Sequence, residues 1–160
     1  MIPQPQTFPV PRGYRQPTID TRDQEWRAWQ RRRAPNGPYP EFLAYDWLEK
    51  RGYREGVDFW YQVSLGEGRA GLSGTGGFVM DFLFEPSISG SRLPAEVYGS
   101  AFHTQAVFIN PAIQQGIDKL KKVLMLREYG RVVYIGEAEL LGDTNTTMLA
   151  AIAGYGVEGP

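Results

Sequence analysis

The sequence predicts an α/β fold of the α+β type, in which a mixed β-sheet is flanked by helices and preceded by an extended N-terminal arm. Three observations predict it. The elements between residues 38 and 141 follow the order α-β-β-β-α-β, residues 131–136 are apolar enough for a strand covered on both faces, and eight of the twelve prolines precede Glu41. We therefore divide the chain into an arm (residues 1–37), a core domain (38–141) and a short helical C-terminal tail (142–160).

The arm is rich in proline and arginine. Proline lacks a backbone donor and restricts its predecessor, so residues 1–17 should be extended. Residues 18–34 predict one short helix with acids in its first turn and three arginines at its end. Residues 1–40 hold seven Arg against three acids, whereas the rest of the chain holds ten bases against fifteen acids. A basic arm on an acidic body suits a subunit that joins a protein partner or a homo-oligomer through the arm.

The core domain begins with a helix between Pro40 and Gly52, since proline suits a first turn and glycine the position after a helix end. Residues 57–65 alternate apolar and polar side chains and predict a strand with one buried face. The Gly-rich residues 66–77 lack the ending of a phosphate-binding loop and predict a turn. Residues 78–84 and 93–102 predict two more strands.

A long helix is predicted over residues 111–130, ended by Gly130. Residues 131–136 then form a further, central strand, and short helical turns complete the chain. The helix carries apolar residues on one side and charged residues around the other: Ile113, Ile117, Leu120 and Leu124 against Asp118, Lys119, Lys121 and Lys122.

Composition excludes several kinds of site. The chain has no cysteine, which excludes disulfides and thiolate chemistry, and its one histidine excludes a zinc site built mainly from imidazoles. No apolar run approaches the roughly 18 residues of a membrane span, and no signal-peptide pattern is present. We expect a cytoplasmic protein without membrane contact, or a virion protein.

Two acids stand in the middle of apolar strands, Asp81 in the second and Glu96 in the third. If these strands pair, the two carboxylates can come close together where the strands diverge. Two carboxylates that close repel each other, and a bound divalent cation usually compensates this repulsion. The alternative is two ordinary polar residues on a solvated sheet face. Carboxylates within about 5 Å of each other and open to solvent would favour a metal, whereas an occluded or salt-bridged pair would not.

The ordered series of polar residues resembles the PD-(D/E)XK nuclease superfamily, most closely the branch of the very short patch repair endonucleases and their relatives. The resemblance covers roughly residues 38–141 and implies a restriction-endonuclease-like core. It rests on the following residues, in chain order: Glu41, Gln62, Asp81-Phe82, Glu96 to Gly99, His103, Asp118 with Leu120 and Leu124, and Gly130 with Val132 and Val133.

The resemblance implies a metal-dependent DNA endonuclease. Asp81 and Glu96 would ligate Mg²⁺ or Mn²⁺, which activates a water and stabilises charge on the phosphate. Glu41 would complete the metal shell through water, and Gln62 would orient water or substrate. His103 would act as general acid or base, the alternative being a structural histidine.

Two departures from the family pattern keep a second function open. The position of the superfamily lysine is Tyr98, which replaces neither a metal ligand nor an ammonium well, and His103 follows Gly99 after three residues rather than two. The alternative is a catalytically inactive nuclease fold that serves as a structural component of a larger assembly, such as a phage virion or connector protein.

Candidate DNA contacts come from two basic groups. One lies at the end of the arm helix and the other on the long helix: Arg31, Arg32 and Arg33, and Lys119, Lys121 and Lys122. For the lysines the alternative is an ordinary solvated face. Asp118 is expected to cap this helix or to form a salt bridge on it, for instance with Lys121 or Lys122. For the arm arginines the alternative is docking to protein.

Overall fold

A computed structural model describes residues 19–65, 78–99 and 110–160. The chain forms two compact units, Met1–Asn36 and Gly37–Pro160. In the described part of the first unit, helix α1 spans Ile19–Arg32 and ends in the predicted arginines. Ion pairs one turn apart support it, between Arg22 and Glu25 and between Arg27 Nε and Asp23 Oδ2 at 2.7 Å.

The second unit contains the predicted α-β-β-β-α-β order, with a short helix added between the second and third strands. Its elements are α2 (Tyr39–Lys50), β1 (Phe59–Ser64), β2 (Val79–Phe84), α3 (Pro86–Ser89), β3 (Leu93–Tyr98), α4 (Pro111–Tyr129), β4 (Val133–Gly136), α5 (Glu137–Gly142) and α6 (Thr144–Ile152). The α+β fold with a mixed sheet flanked by helices is confirmed.

The four strands form one sheet in the order β1-β2-β3-β4. The pairs β1–β2 and β2–β3 are antiparallel, and β3–β4 is parallel because α4 crosses between them. The prediction that residues 131–136 are a central strand was wrong, since β4 ends the sheet order. It is nevertheless buried throughout, and the Val157 N–H bonds to the Tyr134 carbonyl on its outer side at 2.8 Å.

Helix α2 covers one face of the sheet. Pro40 stands in its first turn, and Gly52 lies beyond its end with a φ of 90°, a left-handed conformation that glycine adopts at little cost. Its buried side meets an aromatic cluster whose rings lie 5.1 to 6.3 Å apart: Tyr45, Phe59, Tyr61, Phe82 and Phe84. Val57 was expected on this buried side but is 51% exposed, because β1 starts only at Phe59.

Helix α4 lies over the other face. Asn110 caps it by accepting from the Ala112 N–H at 2.8 Å, and Gly130 ends it as predicted, with a φ of 80°. The core under α4 consists of Leu65, Met80, Leu83, Leu124, Met125 and Tyr134. Helices α5 and α6 pack against α2 and β4. No helix in the described part of the chain is long and apolar enough to cross a membrane.

Candidate active site

The candidate site lies where the sheet hydrogen bonding is interrupted. Strand β2 pairs with β3 from Phe84–Leu93 to Phe82–Ala95, and continuing this register places Asp81 directly opposite Glu96. At this level the backbone N–H groups donate to side-chain carboxylates instead of to backbone carbonyls. The Asp81 N–H donates to Glu96 Oε2 at 2.8 Å, and the Val97 N–H donates to Asp81 Oδ2 at 2.9 Å. Asp81 and Glu96 therefore lie opposite each other, and each carboxylate bonds to the backbone of the neighbouring strand.

The β1–β2 ladder is interrupted at the same level. Pairing stops after Tyr61–Phe82 and resumes at Val63–Met80, which leaves out Gln62 and Asp81. Gln62 has a φ of 57° and is the one non-glycine residue with positive φ in the described part of the chain. A left-handed conformation costs such a residue on the order of 1 kcal/mol or more and occurs preferentially at functional sites. The strained residue, Gln62, therefore lies beside Asp81 on the neighbouring strand.

Glu41 joins the site from the first turn of α2. It is buried, and its Oε1 accepts from the Tyr61 hydroxyl at 2.6 Å and from Gln62 Nε2 at 3.0 Å. Burial, followed by the charge of Asp81, raises the pKa of Glu41 to about 8, while the bonds from Tyr61 and Gln62 oppose the rise. Burial also raises the pKa of Tyr61, so the phenol remains a donor. Gln62 thus orients Glu41, a role that the sequence did not indicate.

Lys121 supplies the positive charge of the site. It extends from α4 toward the sheet, and its Nζ lies 2.5 Å from Glu96 Oε1. Burial and then the charge of Asp81 raise the pKa of Glu96 to about 8, and Lys121 counteracts them. Tyr98, which the resemblance would place in the slot of the superfamily lysine, packs edge-on against Tyr134 at 5.5 Å between ring centroids. The ammonium group comes from the helix instead of the strand.

Within the described part of the second unit, Lys119 and Lys122 are not brought to the carboxylates. Lys122 Nζ donates to the Pro160 carbonyl at 2.8 Å, and Lys119 is exposed. Asp118 accepts from Gln114 Nε2 at 2.8 Å, so the expected pairing with a neighbouring lysine was wrong, since Lys121 reaches Glu96. Arg31, Arg32 and Arg33 belong to the first unit, and His103 lies outside the described residues. Of the basic candidates, Lys121 is therefore the one that the second unit brings to the carboxylates.

The charges allow a test of whether a cation fits. If Glu41, Asp81 and Glu96 all ionise, they carry three negative charges against the one positive charge of Lys121, an excess that one divalent ion would balance. Their carboxylate oxygens are the ligands that Mg²⁺ prefers. Against this, Asp81 and Glu96 are each 8% exposed and Glu96 is salt-bridged, the occluded arrangement expected to disfavour a metal. Among the described residues no three His, Cys, Asp or Glu side chains are grouped so that they could hold a metal ion.

No family model, curated protein or solved structure matches this chain. Fold and site define an α+β protein with a mixed sheet and a buried cluster of three carboxylates and one lysine. The resemblance to the PD-(D/E)XK superfamily stays a prediction.

Proposed function

We propose that this protein is a metal-dependent endonuclease-like hydrolase of DNA phosphodiester bonds. The observation that carries the proposal is the alignment of Asp81 with Glu96 at the interrupted ladder, beside Glu41 and Lys121. Burying like charges together is costly, and catalytic sites are where such clusters with shifted pKa values concentrate. A purely structural sheet would gain more from continuous backbone pairing.

In this proposal Asp81 and Glu96 would hold Mg²⁺ or Mn²⁺, which supplies an activated water and charge stabilisation at the phosphate. Lys121 would neutralise charge developing on the phosphate, the role for which Tyr98 is unsuited. Tyr61 and Gln62 hold the Glu41 carboxyl in place beside Asp81. Because Lys121 now binds Glu96, metal binding requires this salt bridge to loosen.

The test is incubation of supercoiled and linear DNA with the purified protein in Mg²⁺ or Mn²⁺. Asp81→Asn and Glu96→Gln should abolish cleavage. Lys121→Met should lower its rate by about a hundredfold or more, whereas the matched variant Lys119→Met, two residues away on the exposed side, should not. His103→Ala tests the predicted general acid or base. Intact DNA under every condition would contradict the proposal.

The second candidate is the inactive nuclease fold in a larger assembly, such as a phage virion or connector. The observation that favours it is the low exposure of Asp81 and Glu96 together with the bond from Lys121, which already satisfies Glu96 internally. Calorimetric titration with Mn²⁺ separates the two functions. Binding that is lost in Asp81→Asn supports the nuclease, and no heat of binding supports the structural role.

A further inference from the structure

The hydroxyl group of Tyr134 is buried and has no hydrogen-bond partner among the described residues. The whole residue is 6% exposed. An unpaired buried hydroxyl costs free energy, and such a group in a folded protein calls for an explanation. The proposed function gives Tyr134 no role. The residue is therefore a hydrogen-bond donor that the described contacts leave unused.

Tyr134 lies beside Glu96 on the neighbouring strand. The parallel register of β3 and β4 pairs the two residues, so both side chains project from the α4 face of the sheet. Burial raises the pKa of the Tyr134 hydroxyl, and the charges of Glu96 and then Asp118 raise it further. The hydroxyl is thus close to the Glu96 carboxylate, and it keeps the proton that it would donate.

The Tyr134 ring is fixed in this position by its neighbours. Tyr98 packs against it edge-on, and Lys122 Nζ lies 5.9 Å from its centroid. A Cβ atom added to Gly159 would come within 2.4 to 2.7 Å of three ring atoms, so the backbone of Gly159 already packs closely against the ring. The hydroxyl therefore cannot turn away from Glu96 unless these neighbours repack.

Both oxygens of Glu96 already accept from other donors. Oε2 accepts from the Asp81 N–H and Oε1 from Lys121 Nζ. In the proposed function Lys121 has to leave Oε1 in order to meet the phosphate. A buried carboxylate that loses its partner is strongly destabilised. The Tyr134 hydroxyl is a donor on the adjacent strand that can take the place of the ammonium group.

We propose that Tyr134 is a positioning residue of the site, whose hydroxyl donates to Glu96 Oε1 when Lys121 leaves that oxygen. The exchange keeps the Glu96 carboxylate in place and frees the Lys121 ammonium for an anionic ligand such as a DNA phosphate. The part played by metal and DNA rests on the proposed function. The exchange of donors itself requires neither.

A double-mutant cycle on the full-length protein tests the exchange, with thermal unfolding as the readout. Tyr134→Phe removes only the hydroxyl group. In the wild-type background it should lower the melting temperature by no more than about 1 °C, since no bond is lost. In the Lys121→Met background it should lower the melting temperature by about 4 °C or more, because the hydroxyl then holds the buried carboxyl group.

Lys122→Met is the matched background for this cycle. Lys122 contacts the same ring but bonds to the Pro160 carbonyl and not to Glu96. Tyr134→Phe should therefore cost no more in Lys122→Met than in the wild type. A crystal structure of Lys121→Met gives the direct view, in which we expect the Tyr134 hydroxyl within about 3 Å of Glu96 Oε1.

DNA cleavage tests the role of the exchange in the proposed function. Tyr134→Phe should lower the rate by about tenfold, the usual effect of removing a hydrogen bond to a carboxylate that binds a metal. Tyr98→Phe is the matched control, since Tyr98 contacts the same ring and is only partly buried. An unchanged rate in Tyr134→Phe would mean that the hydroxyl does not position Glu96 for catalysis.

Three further results would overturn the proposal. One is an equal effect of Tyr134→Phe in the wild-type and Lys121→Met backgrounds. Another is a Lys121→Met protein that does not fold, which would mean that the hydroxyl cannot replace the ammonium group. The third is a cycle in which Tyr98→Phe, and not Tyr134→Phe, shows the coupling to Lys121. Intact DNA would contradict the proposed nuclease alone, because the cycle and the crystal structure need neither DNA nor metal.

Discussion

Helices α2 and α4 cover the two faces of the same sheet in opposite ways. Helix α2 buries eight of its twelve residues, against the aromatic cluster of the sheet and against α5 and α6. Helix α4 turns Lys121 and Lys122 toward the sheet and buries Leu124 and Met125, while much of its apolar side faces solvent. The difference teaches that the α2 face supplies most of the hydrophobic stability, although it also buries Glu41, whereas the α4 face is shaped around a buried ion pair, which a protein of this size tolerates only with a good core elsewhere.

The largest expected effect is on the α2 face. Phe82→Ala removes a fully buried ring that contacts Phe59, Tyr61 and Phe84, and should lower the free energy of unfolding by about 3 to 5 kcal/mol. Urea denaturation followed by circular dichroism measures it. Val57→Ala, at an exposed position, is the control and should change the free energy by less than about 0.5 kcal/mol. Equal effects would show that the aromatic cluster is not the stabilising core.

On the α4 face we expect Lys121→Met to cost up to about 3 kcal/mol at pH 9, because Lys121 holds down the pKa of Glu96 and its loss leaves the buried carboxyl either charged without its partner or forced to take up a proton. The cost should be smaller at pH 5, where Glu96 can take up a proton. The double variant Lys121→Met/Glu96→Gln should recover most of the loss. If Lys119→Met destabilises as much as Lys121→Met, the ion pair contributes nothing particular.

The buried carboxyls contributed by α2 and by the sheet should also make the stability of the protein depend on pH. Glu41 and Glu96 have pKa values raised from 4.5 to about 8, so the folded protein binds their protons more tightly than the unfolded chain does. Their stabilising contribution is full below about pH 4.5 and is lost as the pH rises through about 8. We expect a fall of about 1 to 3 kcal/mol over this range in metal-free protein, measured by thermal unfolding.

Glu41→Gln and Glu96→Gln should each flatten that pH profile. Asp58 and Asp143 act in the opposite direction, since hydrogen bonds lower their pKa values, but they matter only as the pH falls toward and below 3.8. A profile that rises between pH 5 and pH 8 would show that the two glutamates do not have raised pKa values.

The smallest effect is expected near the start of α4. Ile113→Ala removes apolar surface that is already in water, so the free energy of unfolding should change by less than about 0.5 kcal/mol when measured at low protein concentration. Leu124→Ala, three turns further along the same side of the helix, where that side is buried, is its counterpart and should cost about 2 kcal/mol or more. Equal losses would mean that the start of α4 is buried as deeply as Leu124.

Much of this architecture was predictable because it depends on local spacing. Pro40, Gly52 and Gly130 act through their own backbone preferences, which do not depend on the rest of the fold. Asp81 and Glu96 could be predicted to meet because the alternation of side chains places them on corresponding faces of two neighbouring strands.

The sequence alone determined the order of the elements, the α+β class and the positions of the two acids within their strands. The tertiary structure decided which side of α4 faces the sheet. It also decided that an ammonium group reaches Glu96 from Lys121 of the helix, and that Gln62 takes a left-handed conformation and bonds to Glu41. The physical reason is how far apart along the chain the interacting residues lie. Caps and periodicity act within a few residues, whereas the burial of a charge depends on partners that are distant along the chain and adjacent only after folding.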